Sequence, residues 1–331
     1  MGRHVDIKNI QTALREQDSW VPGASDHVPR LKIDGPRYRT ARSKIYYCES
    51  DLFPTPVAIK VCRGGESSFE ALRTEYAALQ QLQSMIDETP PLRVPQTYVL
   101  LPSADAFVME WIPYRSMKRL LCRQTTAKEF KPTLQQAGKW LRAFHQFSGI
   151  TTGKLPTHEL IERSKQAFDR TSPGMRTDTL LRTSCTVLRD YHQQIRDIDL
   201  DFSIGHGDFT PANLLCGPGE TISLDLRAVT RQATIRDVAR FLNYFDRQLL
   251  TPGGVRFLPL RAELSHTFTD SYDSGLRDGK AMALTWLRLF MVVNLWVRRI
   301  SRRRLIAIKP HYYFALRRLA RMLSTDLQCN Y

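Results

Sequence analysis

The sequence lacks the features that would export the chain or cross-link it covalently. The first six residues do not supply the apolar core of a signal peptide, and position six is not the Ser or Thr of a myristoylation signal. The six cysteines are widely separated and form no Cys-x-x-Cys pair, which disfavours a disulfide framework or a zinc site. These absences predict a cytoplasmic protein with reduced thiols.

Long apolar runs and internal repeats are also scarce. The longest apolar stretch, 281–297, contains Arg288 near its middle, and a charge at that depth is costly in hydrocarbon. We therefore expect a buried helix that turns Arg288 toward a polar edge. No repeat of fixed period occurs, and 331 residues are enough for two lobes or domains with a sizeable core.

Acidic residues are few relative to basic ones, and the formal net charge is +15. From Arg231 onward there are 18 Lys or Arg against 7 Asp or Glu, with the densest run at 298–304. These cations could solvate helix ends, or they could attract an anionic substrate, an acidic membrane surface or nucleic acid. The adjacent aromatics at 312–314 are not interleaved with arginines, and no recognised module occurs, which argues against nucleic acid as a partner.

Short β-rich runs dominate the first part of the chain. Five of them predict strands of an antiparallel sheet: 31–34, 44–48, 57–61, 98–101 and 106–111. Between the third and fourth runs, apolar residues recur at three- and four-residue steps over 69–84, which predicts a helix that Ser67 or Ser68 could cap. Pro113 marks the expected exit from this small lobe.

The remainder of the chain is mainly helical in pattern. A helix is predicted from Thr133, and the main interruption is a hairpin with strands at 214–216 and 221–224. The sequence therefore predicts an α+β fold with two lobes. Residues 1–112 form the small N-terminal lobe, with an antiparallel sheet and one helix, and residues 113–331 form the larger, mainly helical C-terminal lobe.

The strongest chemical signal is the run HGDFTPAN at 206–213, followed beyond the hairpin by Asp225. Phosphoryl transfer needs a carboxylate that orients the attacking hydroxyl and takes its proton, and Asp208 suits that role. Magnesium needs hard oxygen ligands, and Asn213 with Asp225 meets that need. The hairpin folds Asp225 back beside Asn213, while Pro211 stiffens the loop.

This run resembles the catalytic loop of the aminoglycoside/choline phosphotransferase superfamily, which carries His-Gly-Asp-x-x-x-x-Asn. The resemblance implies a bilobal protein-kinase-like fold with ATP and Mg²⁺ in the cleft between the lobes. It also implies that Asp208 is the catalytic base, that Asn213 and Asp225 bind magnesium, and that His206 is structural. The implied reaction transfers the γ-phosphoryl group of ATP to a hydroxyl of an acceptor.

Upstream residues extend the resemblance to nucleotide binding. The run VAIK at 57–60 resembles the kinase strand whose lysine pairs with the α- and β-phosphates. Glu75, on the following helix, could reach Lys60 and hold it extended, so we expect their charged groups within about 4 Å in an active arrangement. A lone strand lysine would more often be a solvated edge charge.

The run FVMEWI at 107–112 resembles the last strand of the kinase sheet and the hinge after it. By this resemblance, the backbone of Glu110 and Ile112 would meet the adenine edge, and Met109 would line the back of the pocket. A buried strand with an amphipathic exit explains these side chains equally well.

Two further residues match supporting positions of the family. The run LRAFH at 141–145 resembles a helix end common in these enzymes, and we expect His145 to be a hydrogen-bonded core residue. Asp237 matches an aspartate that ties down the catalytic loop. Its place at the start of a helix would equally suit an ordinary N-terminal charge.

The chain also departs from the family pattern. The expected phosphate-covering turn, 34–43, contains a single glycine, although a backbone cradle for phosphate prefers more. Arg37, Arg39 and Arg42 could contact phosphate instead, or lie in a solvated loop. Leu226 and Arg227 replace the last two residues of Asp-Phe-Gly, which changes no metal ligand.

The identity of the acceptor is left open by the sequence. A cationic acceptor calls for an acidic pocket, and the C-terminal lobe is poor in carboxylates, which favours a neutral or anionic sugar, free or glycan-linked. The basic run could add peripheral contact with an anionic membrane surface. The alternatives are an aminoglycoside or choline-type phosphotransferase, and a basic nucleic-acid- or membrane-binding protein without catalysis.

Overall fold

The computed structural model of the chain describes residues 7–16, 30–39, 43–64, 66–86, 92–122, 126–169, 178–227, 230–277, 279–300 and 310–330. The chain divides into two compact units. The first is Met1–Tyr114 with Ile222–Ala228, and the second is Arg115–Thr221 with Val229–Tyr331. The segment after the hairpin, which contains Asp225, is thus grouped with the first unit.

The first unit contains a five-stranded antiparallel sheet of order β1-β2-β3-β5-β4. Its strands are β1 (Leu31–Arg39), β2 (Ser43–Ser50), β3 (Val57–Cys62), β4 (Thr97–Leu101) and β5 (Ala106–Glu110). Strand β3 is buried at every position because it lies between β2 and β5. The five predicted strands are therefore present, with β3 at the centre.

Strand β1 differs from its prediction. It continues past Asp34 to Arg39, with a register irregularity between Asp34 and Tyr38, so residues 35–39 of the expected phosphate-covering turn are strand. Gly35 permits this passage with a positive φ of 126°. Arg37 pairs with Asp34 at 3.2 Å, and Arg42 lies outside the described residues.

Two helices accompany this sheet in the part of the chain that the structure describes, one more than expected. Helix α1 (Ile7–Arg15) buries Ile10, Ala13 and Leu14 in the core of the sheet. Helix α2 (Glu66–Ile86) begins earlier than predicted, so Ser67 and Ser68 are helical residues and not caps. Glu66 in its first turn complements the helix dipole.

The second unit is mainly helical. Its helices are α3 (Met117–Cys122), α4 (Ala127–Phe147), α5 (Thr157–Asp169), α6 (Thr179–Arg196), α7 (Ile235–Leu249), α8 (Arg261–Tyr272), α9 (Ala281–Ile300) and α10 (Pro310–Asn330). Helix α4 begins six residues before the predicted Thr133. A capping box between Thr126 and Glu129 fixes its start, and Pro132 is accommodated within the helix.

Short strands interrupt the helices of the second unit. Strand β6 (Arg115–Ser116) pairs with β9 (Leu214–Gly217), and β9 forms the predicted hairpin with β10 (Glu220–Ser223), whose turn contains Gly219 at φ 76°. A separate antiparallel sheet consists of β7 (Thr151–Gly153), β8 (Leu200–Ile204) and β11 (Arg231–Ala233). This sheet was not predicted, because strands of three to five residues carry little periodicity.

Helix α9 is the one described helix long and apolar enough to cross a membrane by length and composition, and 61% of its window Ala281–Arg298 is buried within the protein. Arg288 is buried and does not face an open polar edge; it pairs with Asp246 and donates to Asn243 Oδ1 at 3.2 Å. A buried cation requires such a partner. Of the basic run 298–304, residues 301–304 lie outside the described residues.

Candidate active site

The first unit contains a buried ionic cluster formed by Lys60, Glu75 and Asp225, here called the Lys60 cluster. The Lys60 ammonium donates to both carboxylate oxygens of Glu75, at 2.6 and 2.7 Å, and also to Asp225 Oδ1. Strand β3 presents the lysine and helix α2 presents the glutamate. The predicted Lys60–Glu75 ion pair is confirmed, and Asp225 is an additional partner that the sequence did not predict.

In this cluster, pairing between opposite charges counteracts the effect of burial on the pKa values of Lys60 and Glu75. Burial on its own would lower the pKa of Lys60, but the carboxylates of Glu75 and Asp225 outweigh it and hold the pKa above its ordinary value. For Glu75, burial is the largest influence and raises the pKa, while Lys60 opposes it and the nearby Asp225 carboxylate adds to it. One ammonium thus serves two carboxylates, and Lys60 stays charged.

Asp225 has an unusual backbone conformation. Its φ is 56°, in the left-handed region that few residues other than glycine adopt, although aspartate tolerates it better than most. Such strain of order 1 kcal/mol persists only where the surroundings hold it, and it clusters at functional sites. The contact with Lys60 helps to hold Asp225 in this conformation.

The residues expected at the adenine pocket lie at the end of β5. Met109 and Ile112 are buried, and the Glu110 side chain accepts from Arg93 Nη2 at 2.7 Å. The backbone N–H of Glu110 donates to the carbonyl of Gln96 at 2.7 Å. Because this N–H is already hydrogen-bonded, a backbone contact of Glu110 with adenine would be made by its carbonyl oxygen.

In the second unit, Asp208 lies on a loop beside an aromatic core. The ring of His206 is fully buried and packs against Trp140, Phe144 and Phe209. Its Nδ1 accepts from the backbone N–H of Asp208 at 3.3 Å. His206 is therefore packed and hydrogen-bonded, as expected for a structural residue, and the Asp208 side chain remains about one quarter exposed.

Asp237, in the first turn of α7, holds this loop in place through hydrogen bonds. Its carboxylate accepts from the backbone N–H groups of His206 at 2.7 Å and of Gly207 at 3.2 Å, and His145 Nε2 lies 3.3 Å away. Burial alone would raise the pKa of Asp237, but the contact with His145 and the backbone hydrogen bond outweigh it and lower the pKa. The prediction that Asp237 ties down the loop is confirmed.

Asn213 and Asp225 have the donor chemistry that magnesium requires. Asn213 Nδ2 donates to the backbone carbonyl of Asp208 at 3.0 Å, which leaves the amide oxygen as the atom suited to a cation. Asp225 contributes carboxylate oxygens. Among the described residues, no group of three His, Cys, Asp or Glu could hold a metal. Magnesium needs no such group, because it commonly combines one or two protein ligands with phosphates and water.

A cavity of about 850 Å³ opens within the second unit beside Asp208. Helices α5, α7, α9 and α10 contribute to its walls, and we call it the basic cavity. Six cationic side chains line it: Lys118, Arg163, Arg236, Arg240, Arg247 and Arg298. Asp208 is the one carboxylate among its described lining residues.

The cations of α7 were not predicted to be site residues. Arg240 reaches the loop that carries Asp208, where its Nη1 donates to the Gly207 carbonyl and lies 3.6 Å from Asp208 Oδ1. Arg236 lies one turn earlier on the same face. The sequence did contain one indication of their role. Arg236 and Arg240 are four residues apart and flank Asp237, so both lie near the loop that Asp237 anchors.

The sequence pattern of the phosphotransferase enzyme family matches residues 46–266, more than half of the chain. The chain belongs to this family. No curated protein matches it. The matched range includes the Lys60 cluster, the loop with Asp208 and Asn213, and helix α7, so every residue singled out above as a candidate catalytic or metal ligand lies within it.

Several solved structures share the fold. A glucosamine kinase in complex with glucosamine, ADP and inorganic phosphate is 15% identical, with a TM-score of 0.51 over 90% of this chain and 94% of that chain. The choline kinase LicA from Streptococcus pneumoniae is 14% identical, with a TM-score of 0.55 over 90% and 94%. The ADP-bound aminoglycoside phosphotransferase APH(2'')-Ib is 10% identical, with a TM-score of 0.57 over 95% and 99%.

At these identities, the structural likeness establishes the fold alone. Together with the family match, it confirms the predicted aminoglycoside/choline phosphotransferase superfamily and the α+β, protein-kinase-like fold class. The individual roles of the site residues stay predictions.

Proposed function

We propose that this protein is a cytoplasmic small-molecule kinase that transfers the γ-phosphoryl group of ATP to a hydroxyl of a small-molecule or glycan acceptor. The observation that carries the proposal is the position of Asp208, on a loop held by Asp237 and Arg240, at the wall of a cavity of about 850 Å³. That volume lies within the range of small-molecule binding sites.

Asp208 acts as the base in this proposal. The acceptor hydroxyl oxygen forms a bond to the γ-phosphorus, the bond from that phosphorus to the β–γ bridging oxygen breaks, and ADP leaves with that electron pair. The hydroxyl proton passes to the Asp208 carboxylate. Because Asp237 and Arg240 restrain the neighbouring backbone, the carboxylate is pre-positioned for this transfer.

The nucleotide is bound by the proposed N-terminal ATP-binding lobe, residues 1–112. Lys60 pairs with the α- and β-phosphates, and Glu75 holds the lysine in place. Met109 with the backbone of Glu110 and Ile112 surrounds the adenine. Asn213 and Asp225 would hold magnesium, which would offset the negative charge of the β- and γ-phosphates.

The acceptor binds the C-terminal catalytic lobe, residues 113–331, and is neutral or anionic. The similar solved structures include kinases named for glucosamine, choline and aminoglycosides, all of which carry amines or a quaternary ammonium. A lining of six cations and one carboxylate repels such acceptors. An aminoglycoside or choline-type phosphotransferase is therefore the less favoured alternative.

An acceptor panel tests the proposal. The full-length protein is incubated with ATP and magnesium and with neutral sugars, sugar phosphates, sugar acids, choline or kanamycin, and ADP release is measured. Support is acceptor-dependent ADP release, with the acceptor gaining one phosphoryl group by mass, that stops when EDTA removes magnesium. Absence of both acceptor-dependent ADP release and magnesium-dependent nucleotide binding would refute the proposal.

A further inference from the structure

The basic cavity is built largely from one face of α7. Residues at steps of three and four along this helix line it: Arg236, Arg240, Asn243, Tyr244, Arg247 and Gln248. The opposite face is buried in the core and includes Val238, Leu242 and Phe245. The arginines therefore lie on a rigid element and not on a loop, which is the arrangement expected of a built binding site.

Not all of these arginines are available to a ligand. Arg247 lies over the rings of Tyr244 and Tyr312, and its Nε donates to the carbonyl of Asn243 at 3.1 Å. Arg240 is committed to the loop through Gly207 and Asp208. These contacts explain both side chains as parts of the cavity wall.

Arg236 differs from both. Among the described residues, no hydrogen bond or ion pair to its half-buried guanidinium is found, whereas Arg240 and Arg163 are close enough to repel it. Burial lowers the pKa of Arg236, and those two positive charges lower it further, against the raising effect of Asp237.

The position of Arg236 is unfavourable for the stability of the helix. It lies in the first turn of α7, where the helix dipole favours negative charge. It also stands four residues before Arg240, and like charges at that spacing repel. An arginine with these costs and no described partner is explained by a ligand that supplies the missing negative charge.

We infer that the acceptor carries an anionic group, a phosphate or a carboxylate, that binds Arg236 and Arg163 while an acceptor hydroxyl faces Asp208. The substrate class is therefore a hydroxyl-bearing organic anion such as a sugar phosphate or sugar acid. This inference rests on the proposed function, since it assigns the acceptor of that same site.

The chemistry of arginine suits this role. Its planar guanidinium binds phosphate or carboxylate through two parallel hydrogen bonds, which gives orientation as well as affinity. An anion placed between Arg236 and Arg163 replaces repulsion between two cations by attraction to a shared partner. Binding through this pair would fix one end of the acceptor and leave the hydroxyl end to Asp208.

A different source of negative charge must be separated from the acceptor, namely the phosphates of ATP. If Arg236 binds ATP, its loss raises the KM for ATP; if it binds the acceptor, its loss raises only the acceptor KM. The experiments below therefore keep the nucleotide saturating or measure the two constants separately.

The first experiment measures anion binding without turnover. Calorimetry with saturating ADP and magnesium follows sulfate, and separately acetate, binding to the wild type, Arg236→Gln, Arg163→Gln and a matched control, Arg189→Gln. Arg189 is exposed on α6 and lies outside the cavity lining. We expect Arg236→Gln to weaken binding of the preferred anion about tenfold or more, since a charge-assisted bond is lost, and the control to stay within twofold.

The outcome of that titration decides the site. Preference for sulfate indicates a phosphate-bearing acceptor, and preference for acetate a carboxylate. No measurable binding of either anion, or binding that Arg236→Gln and Arg163→Gln leave unchanged, overturns the inference. Arg236→Lys, which keeps the charge but not the paired hydrogen bonds, should retain part of the affinity and shows that loss in Arg236→Gln is not misfolding.

The second experiment uses the acceptor found with the panel. Arg236→Gln should lower kcat/KM for that acceptor about tenfold or more through its KM, with the KM for ATP unchanged. A rise in the KM for ATP instead refutes the assignment. Turnover of choline or kanamycin that is insensitive to Arg236→Gln would leave the proposed kinase standing and eliminate the anionic acceptor, whereas absence of turnover with every acceptor would count against the proposed function alone.

Discussion

The Lys60 cluster and the basic cavity have opposite ratios of cationic to anionic side chains. In the first, one buried ammonium has two carboxylate partners, with contacts of 2.6 and 2.7 Å to Glu75. In the second, six cationic side chains surround one carboxylate, Asp208. The first contains more negative than positive charge around its buried ammonium, whereas the described lining of the second contains five more cations than carboxylates.

This difference separates structural from ligand-directed charge. A group whose partners are already in the protein is positioned before any ligand arrives, and its removal disturbs its neighbours. A group without such partners, such as Arg236, keeps an unbalanced charge until its ligand binds. Substitutions should therefore weaken positioning in the Lys60 cluster and binding in the basic cavity.

The largest effect is expected at the single carboxylate of the cavity. Asp208→Asn should lower turnover by about two to four orders of magnitude, because it removes the proton acceptor, while nucleotide affinity is kept. Turnover and nucleotide binding are measured in parallel with Asp190→Asn, which makes the same change at an exposed position of α6. Turnover of Asp208→Asn within threefold of the wild type would rule out its role as base.

Removing Asp225 should break the link between the Lys60 cluster and magnesium. Asp225→Ala should abolish the magnesium dependence of nucleotide binding, a loss of about a hundredfold in ATP affinity when magnesium is present, because a magnesium ion held there would offset the negative charge of the phosphates. Asp225→Asn is the companion variant, since asparagine tolerates the positive φ better than alanine. Equal magnesium dependence in both variants and the wild type would exclude Asp225 as a main ligand.

A smaller effect is expected from Glu75, because Lys60 would keep its contact with Asp225. Glu75→Gln should raise the dissociation constant for ATP about tenfold, as the ammonium is no longer held extended by a charged partner. Glu70→Gln, on the same helix but in an exposed pair with Arg73, is the control. Equal ATP affinities of the two variants would contradict a positioning role for Glu75.

The smallest effect concerns pH. The pKa of Lys60 is raised in the folded protein by Glu75 and Asp225, so its contribution to stability is fully present below the unfolded value of 10.5 and is lost as pH rises toward the folded pKa. Urea unfolding from pH 9.5 to 11 should show a steeper loss of stability in the wild type than in Lys60→Met. Parallel curves would show that Lys60 has the same pKa in both states.

Much of this molecule follows from local sequence. The five strands of the first sheet, the pairing of Lys60 with Glu75 and the anchoring by Asp237 rest on periodicity and on motif residues, which act over short distances or through a known fold. The contact of Asp225 with Lys60 did not follow, because it joins residues 165 positions apart.

Other features required tertiary packing to be seen. Helix α1 has a short apolar face that is informative only once the sheet beneath it is known. The basic cavity depends on how α5, α9 and α10 pack near α7, so the net charge of the C-terminal region predicted its sign but not its location. Arg236 could not be distinguished by sequence from the solvated arginines of the same region.

Two adjacent residues of helix α7 have different roles. Asp237 anchors the loop that carries Asp208, and Arg236, the residue directly before it, lines the cavity. Because both residues belong to the same helix backbone, any tilt of the helix would move the loop with Asp208 and the cavity wall together and preserve their spacing. Exchange of the helix residues that line the cavity should therefore change which molecules bind there while the loop with Asp208 keeps its position.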